Sequence, residues 1–169
     1  MKPFSPLTPK LRNATESDCD ELLRLRNLPE VCRYSGSPLP IAPEQHQRWF
    51  ASALHSPDHI ILMIELADNQ SDSEVIGSLR LDRLTDGYRI SIFIHPEFHG
   101  RGIGKWALLA AENHLPPKQD LTLHASIHAE NTASIRLFEA AEYVPDTGAK
   151  AQSPFLSYTK TITKTVTAV

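Results

Sequence analysis

The sequence predicts an α/β fold in which a mixed sheet carries helices on both faces. Short β-rich runs alternate with helix-periodic segments in the order β-α-α-β-β-β-α-β-α-β-β. Three consecutive strands are separated only by turn residues, as in an antiparallel meander. The chain's 169 residues suit a single domain spanning 1–169, and no internal repeat divides them.

Residues 1–9 hold three prolines without periodicity and read as a loose arm. KLRNA is a short strand. Thr15 and Asp18 resemble a helix cap ahead of SDCDELLRLRN, where Cys19, Leu22, Leu23 and Arg26 share a face. Pro29 is expected to end that helix. Pro43 suits the first turn of another, running to about Leu54 with His46, Trp49, Phe50 and Ala53 on one face. HIILMIELA, EVIGSLRLDRL and YRISIFIH form the meander, with turns at DNQSDS and TDG. A helix from about Gly102 to Leu115 stops at Pro116 and Pro117. LTLHASIH is a strand, NTASIRLFEAAE a helix capped by Asn131, YVP a further strand and FLSYTKTITKTV the last.

Hydrophobic residues make up 41% of the chain and charged residues 22%, a globular composition. A net charge of −3 and a pI near 6.2 argue against a nucleic-acid partner. Eight histidines occur without HExxH or CxxC spacing, so no metal site is expected. Cys19 and Cys32 read as reduced thiols. The start MKPFSPLTPK is too polar for a signal peptide, and no apolar run has spanning length. The expectation is a cytoplasmic chain with no membrane partner. A homodimer is one admissible assembly.

HPEFHGRGIGKW, residues 95–106, concentrates Gly100, Gly102 and Gly104 between a strand and a helix. A Walker-type loop fails, because Trp106 follows Lys105 and His99 stands where the first glycine belongs. A dinucleotide fingerprint fails, because the run follows a meander rather than a first βαβ unit. What fits is a pyrophosphate cradle built from successive unhindered amides, Gly100 to Lys105, at a positive helix end, with Arg101 and Lys105 at its rim. A glycine-rich turn without a ligand is the plainer alternative.

ISIFIHPEFHGRGIGKWALLAAENHL closely resembles the acetyl-CoA-binding segment of the GNAT superfamily of N-acetyltransferases. SIHAENTASIRLFEAAEYVP resembles the segment that follows it, and the likeness spans about residues 10–165. It implies a central, mostly antiparallel sheet splayed at the acetyl-CoA site, with coenzyme A as product. It also implies direct acetyl transfer to a primary amine in a ternary complex. His99, Gly100, Arg101, Gly102, Ile103, Gly104 and Lys105 would hold the diphosphate. Pantetheine would lie against a bulged strand at Ile92, Phe93 and Ile94, opposite the strand before Asn131. Ser134 and Phe138 would meet the thioester end. Four residues depart from the pattern. His99 replaces an Arg or Gln, which makes one phosphate contact weaker or pH-dependent. Arg89 stands in place of a Glu base and Phe138 in place of a Tyr acid. Glu142 stands where Gly is usual, which suggests a locally different helix end.

LRLRNLPEVCRYS, IAPEQHQRWFASAL and IGSLRLD are similar to the nucleotide-sugar N-acetyltransferases of pseudaminic acid biosynthesis. The acceptor this favours is an amino group on a nucleotide-linked sugar. A peptide or protein N-terminal amine is the enzymatic alternative, and a non-catalytic acyl-CoA-binding module is an alternative of another class. Arg80 and Asp82 alternate onto one strand face, where a guanidinium suits a phosphate and a carboxylate an ammonium. A surface ion pair explains them equally well. Tyr34 and Trp49 are candidate stacking residues, with core packing as the bland reading of Trp49. His46, on an apolar face, and His128, at a strand end, join Asp82 as candidates for proton transfer. A hydrogen-bonded structural histidine and a solvated strand-end histidine are their plainer roles.

Overall fold

The computed structural model describes residues 8–67, 73–116, 120–148 and 154–163. The arm expected at 1–7, the turn expected at 68–72, Pro117 and the strand expected to continue past residue 163 lie outside the described residues. Seven strands form one sheet in the order β1-β2-β3-β4-β5-β7-β6. They are β1 (Thr8–Asn13), β2 (His59–Ala67), β3 (Ser73–Arg83), β4 (Gly87–Ile94), β5 (Leu121–His128), β6 (Val144–Pro145) and β7 (Phe155–Ile162). The helices are α1 (Cys19–Arg26), α2 (Pro29–Arg33), α3 (Pro43–Leu54), α4 (Ile103–Ala111) and α5 (Thr132–Ala140). No helix among the described residues is long and apolar enough to cross a membrane.

The expected meander is present, with β2, β3 and β4 pairing antiparallel in turn. Period-two alternation explains how the sheet buries both faces. Leu62, Ile64, Leu79, Leu81, Ile90 and Leu123 point to one face, where α4 and α5 add Ala107, Leu108, Phe138 and Ala141. Ile61 and Met63 point to the other, under Leu22 of α1 and Phe50 and Ala53 of α3. Helices therefore cover both faces, as the pattern predicts.

Four local expectations are corrected. β1 begins at Thr8, pairing with Ala67, so Thr8 and Pro9 belong to the sheet and not to the arm expected over residues 1–9. Pro29 does not merely end α1 but opens α2, since a proline at the first helical position lacks only an N–H that would be unpaired anyway. On α1 the buried residues are Leu22 and Leu25, while Leu23 is half-buried. The β4 register against β3 runs unbroken from Tyr88 to Ile94, so the expected bulge is absent there. The irregularity lies instead on β2 and β3, at Ile64/Glu65.

The end of α5 keeps the usual geometry without the usual residue. Glu142 takes φ +71°, Tyr143 N–H donates to Phe138 C=O at 3.0 Å, and Glu142 N–H donates to Glu139 C=O at 3.0 Å. That is a Schellman stop with its accompanying apolar contact, the Phe138 and Tyr143 rings meeting edge to face at 4.9 Å. The glutamate adopts the left-handed conformation, so the expected local difference is one of strain and not of path.

Candidate active site

The only parallel contact in the described sheet is short. β4 and β5 pair at Gly87–Thr122, Tyr88–Leu123 and Arg89–His124, and then part. Their tightest approach is at Gly87, where an added Cβ would strike the Thr122 main chain. Hydrogen-bond alternation shows what the parting exposes. His95 N–H donates to Ile76 C=O and Leu84 N–H to Gly87 C=O, so the odd-numbered residues of β4 bond to β3. Ile92 and Ile94 therefore turn their amides and carbonyls toward the gap. On β5, Ala129 N–H donates to Pro154 C=O, and the same alternation turns Ser126 and His128 toward it.

Two of these groups are already taken. His128 C=O accepts from Asn131 N–H at 2.8 Å, and the His99 ring Nε2 donates to Ile94 C=O at 2.8 Å. His99, expected at the diphosphate, thus ties its loop to the end of β4.

At the open end of the gap stands the glycine loop. Gly100 (φ +74°) and Gly102 (φ +77°) take left-handed conformations, and an added Cβ at either meets nothing within 4 Å. Gly102 is the residue before α4, and the first intrahelical bond runs from Trp106 N–H to Gly102 C=O. The amides of Ile103, Gly104 and Lys105 therefore have no intrahelical acceptor and stand at the positive helix end. Lys105 is exposed. Arg101, also exposed, folds back over Phe98 and donates to Glu97 C=O at 3.1 Å. Gly104 has a different task. An added Cβ there would meet both Leu137 methyl carbons at 3.0 Å, so Gly104 lets α4 approach α5 rather than leaving room for a ligand. A shallow groove runs between the loop and the β1–β2 edge, lined by Arg101, Gly102, Ile103 and Trp106 on one side and by Pro9 and Leu66 on the other.

Across the gap, Asn131 caps α5, its side-chain oxygen accepting from Ser134 N–H at 3.1 Å. Phe138, expected to face the thioester, is 3% exposed and belongs to the core with Tyr143. It shields from behind and does not line the opening.

The α1/α3 side of the sheet carries the remaining candidates. Asp82 is held at both oxygens: one accepts from His59 Nδ1 at 2.7 Å, the other from Arg80 Nε at 3.0 Å. The Arg80 guanidinium lies 5.2 Å over the Trp49 ring. The Arg80–Asp82 ion pair, one of the two readings of these residues, is thus present as part of a chain of Trp49, Arg80, Asp82 and His59. His59 escaped sequence reasoning, although as the first residue of its strand it shares the parity of Ile61. His46 is 2% exposed, packs on Phe50 and Trp49, and donates from Nε2 to Cys19 C=O at 3.0 Å. Burial lowers its pKa below the ordinary histidine value, keeping the ring neutral. Its bonds give it a structural role. His128 accepts from Glu130 N–H at Nδ1, which leaves its proton on Nε2. Its ring lies 5.5 Å from Tyr34 and 5.4 Å from Phe155, so Tyr34 is drawn from α2 to the β5 lip of the gap. Arg33 covers Tyr34 at 5.2 Å.

Such an arrangement defines a class of protein that seats an extended, phosphorylated ligand in a split sheet. The chain belongs to the GNAT acetyltransferase family, whose domain, described as "Acetyltransferase (GNAT) domain", matches residues 10–144. It is an acetyl-CoA-dependent N-acetyltransferase. Among curated proteins none matches the sequence. Among solved structures, a domain from Methanocaldococcus jannaschii is similar at 23% identity and TM-score 0.77, covering 92% of this chain and 99% of that one. A spermidine N-acetyltransferase from Vibrio cholerae, in complex with CoA and spermine, is similar at 16% identity and TM-score 0.72, covering 92% and 95%. An aminoglycoside acetyltransferase in complex with coenzyme A is similar at 17% identity and TM-score 0.75, covering 91% and 95%. These likenesses are of fold. Acetyl-CoA suits the residues present: the loop is open in front of unpaired amides, and the gap offers free main-chain groups on both lips.

Proposed function

We propose that the protein transfers an acetyl group to the primary amine of a nucleotide-linked amino sugar, acting in the cytoplasm as a single domain. The observation that carries the transfer is the parting of β4 from β5 beside the glycine loop. Acetyl-CoA supplies the activated acyl group. The amides of Ile103, Gly104 and Lys105 hold its diphosphate, with Lys105 adding charge. The edge groups of Ile92 and the amide of Ile94 on one lip, and the edge groups of Ser126 on the other, hold its extended arm. Ile92 N–H stabilises the charge that develops on the carbonyl oxygen, a contribution of about 3 kcal/mol in such sites.

The attacking nitrogen forms its bond to the acyl carbon as the carbon–sulfur bond breaks. The ammonium proton must leave first. Asp82 holds the proton of His59 on Nδ1, so Nε2 presents its lone pair and accepts that proton through ordered water. The thiolate takes a proton from solvent, since Phe138 has none to give. Tyr34, on the β5 lip, and Trp49, under Arg80, supply flat surfaces for a base or sugar.

Release of free thiol from acetyl-CoA, followed against a panel of amines, tests this reading. UDP is expected to compete with the acceptor, and Asp82→Asn to lower acceptor kcat/KM at least tenfold with coenzyme A affinity unchanged. Acetylation of peptide amines without inhibition by UDP would replace the sugar acceptor with a peptide. Normal kinetics in Asp82→Asn would remove the His59–Asp82 pair from the reaction.

A further inference from the structure

Four ionisable residues form one line across the sheet. The register pairs His59 with Asp82, Asp82 with Arg89, and Arg89 with His124. Directly paired residues project to the same face, here the side covered by α1 and α3. The Arg89–His124 pair is also the last before β4 and β5 part. The line therefore crosses the apex of the gap, and its β4 member Arg89 lies three residues before Ile92.

The charges along it are not evenly matched. Asp82 is bound by His59 and Arg80. Asp86, in the turn before β4, is bound by His124 Nε2 at 2.9 Å. Arg89 is exposed, and among the described residues its side chain makes no ion pair or hydrogen bond. The carboxylates of Asp82 and Asp86 are thus both engaged, and one guanidinium remains at the apex. Arg80 pairs in register with Ser91, so Arg80 and Arg89 are diagonal neighbours with backbones about 7–8 Å apart. A guanidinium binds carboxylate or phosphate with two parallel hydrogen bonds, and like charge repels an ammonium brought to the same place.

We propose that Arg89 is a specificity residue that binds an anionic group of the acceptor at the apex of the gap. The acceptor is then an amine that also carries phosphate or carboxylate, and polycationic amines are rejected. This inference rests on the acetyl-transfer reading and narrows its substrate class.

The test separates the two. Coenzyme A binding by calorimetry and thiol release establish the transfer reading, and a protein that does neither ends both. The protein saturated with coenzyme A, which fills the diphosphate site, is then titrated with UDP and separately with glutamate. At least one anion is expected to bind, and Arg89→Ala to weaken it tenfold or more while coenzyme A affinity holds. Arg89→Lys should recover only part of the loss, because an ammonium lacks the planar fork. UDP binding marks phosphate as the recognised group, and binding of glutamate alone marks carboxylate. In the acylation assay Arg89→Glu should shift relative kcat/KM from anionic amines toward spermidine. Arg89 is exposed, so its variants are expected to fold, which far-UV circular dichroism verifies. Failure of both anions to bind, or equal affinity in Arg89→Ala, overturns the proposal even where acetyl transfer is intact.

Discussion

Replacing Gly104 by valine separates the packing role of this glycine from a ligand role. The added Cβ would sit 3.0 Å from Leu137 Cδ1 and Cδ2 and 3.5 Å from Ile94 Cδ1. Carbon atoms pack best at about 3.5–4.0 Å, so α5 must yield by several tenths of an ångström for Cβ alone. The two γ-carbons of valine demand more. Overpacking of this kind costs about 1–3 kcal/mol, and the better helix propensity of valine returns only about 0.3 kcal/mol. The net loss is about 1–2.5 kcal/mol, a fall in Tm of about 2–10 °C for a chain of this size. Urea unfolding of Gly104→Val, Leu137→Ala and the double variant closes a cycle. Shortening Leu137 should relieve the clash, leaving the double variant at least ~1 kcal/mol more stable than the sum of the single losses. Additivity within about 0.5 kcal/mol would refute the packing argument.

Three other outcomes follow from the described contacts. Gly102→Val has free space for its Cβ but keeps an unfavourable φ of +77° in front of the first amides of α4. Calorimetry on the folded variant should show coenzyme A affinity reduced tenfold or more. The Asp18 carboxyl is held below the usual carboxylate range chiefly by its hydrogen bond from Arg12, with Thr15 assisting and burial opposing. Its stabilisation is complete above the ordinary value of ~3.9 and is lost as pH falls through the folded value. Arg12→Met should therefore flatten the acid limb of stability measured by urea unfolding between about pH 2 and 6. The Tyr143 phenol is pushed well above its ordinary range by burial and then by the Glu112 charge, so stability is lost as pH rises beyond ~10. Its buried hydroxyl has no hydrogen-bond partner among the described residues. Tyr143→Phe should flatten the alkaline limb and raise stability at neutral pH by up to about 1 kcal/mol, and a loss at neutral pH would show a hidden partner.

Much of the framework was legible because it rests on local signals. The meander followed from apolar alternation and turn residues, and the Asn131 cap from one side chain three positions before its amide. The glycine run announced a helix start, and α4 begins at Ile103 directly after the left-handed Gly100 and Gly102. What was illegible depends on partners distant in the chain. Gly104 reads like its two neighbours until Leu137 is placed above it. The Arg80–Asp82 ion pair was one of two readings of those residues, but His59, 23 residues away, joins it only once register is known. Phe138 was given the right helix but the wrong surroundings, because helical spacing says which residues share a face and not what covers it. Glu142 shows a different limit: surrounding packing can hold a residue in a conformation its type disfavours.

The three-pair ladder between β4 and β5 also has a mechanical meaning. Among the described residues it is the sole seam of backbone bonds in the sheet between a four-stranded half, β1 to β4, and a three-stranded half, β5, β7 and β6. A seam that short is the natural place for the molecule to breathe, so amides of Thr122 and His124 should exchange with solvent sooner than those between β2 and β3. On the reading proposed above, a bound pantetheine arm clasps the same two halves further along. Ligand at a hundred times its dissociation constant adds about 2.7 kcal/mol to the folded state. The acyl donor then works as a removable staple, and each round of product release returns the sheet to its looser form.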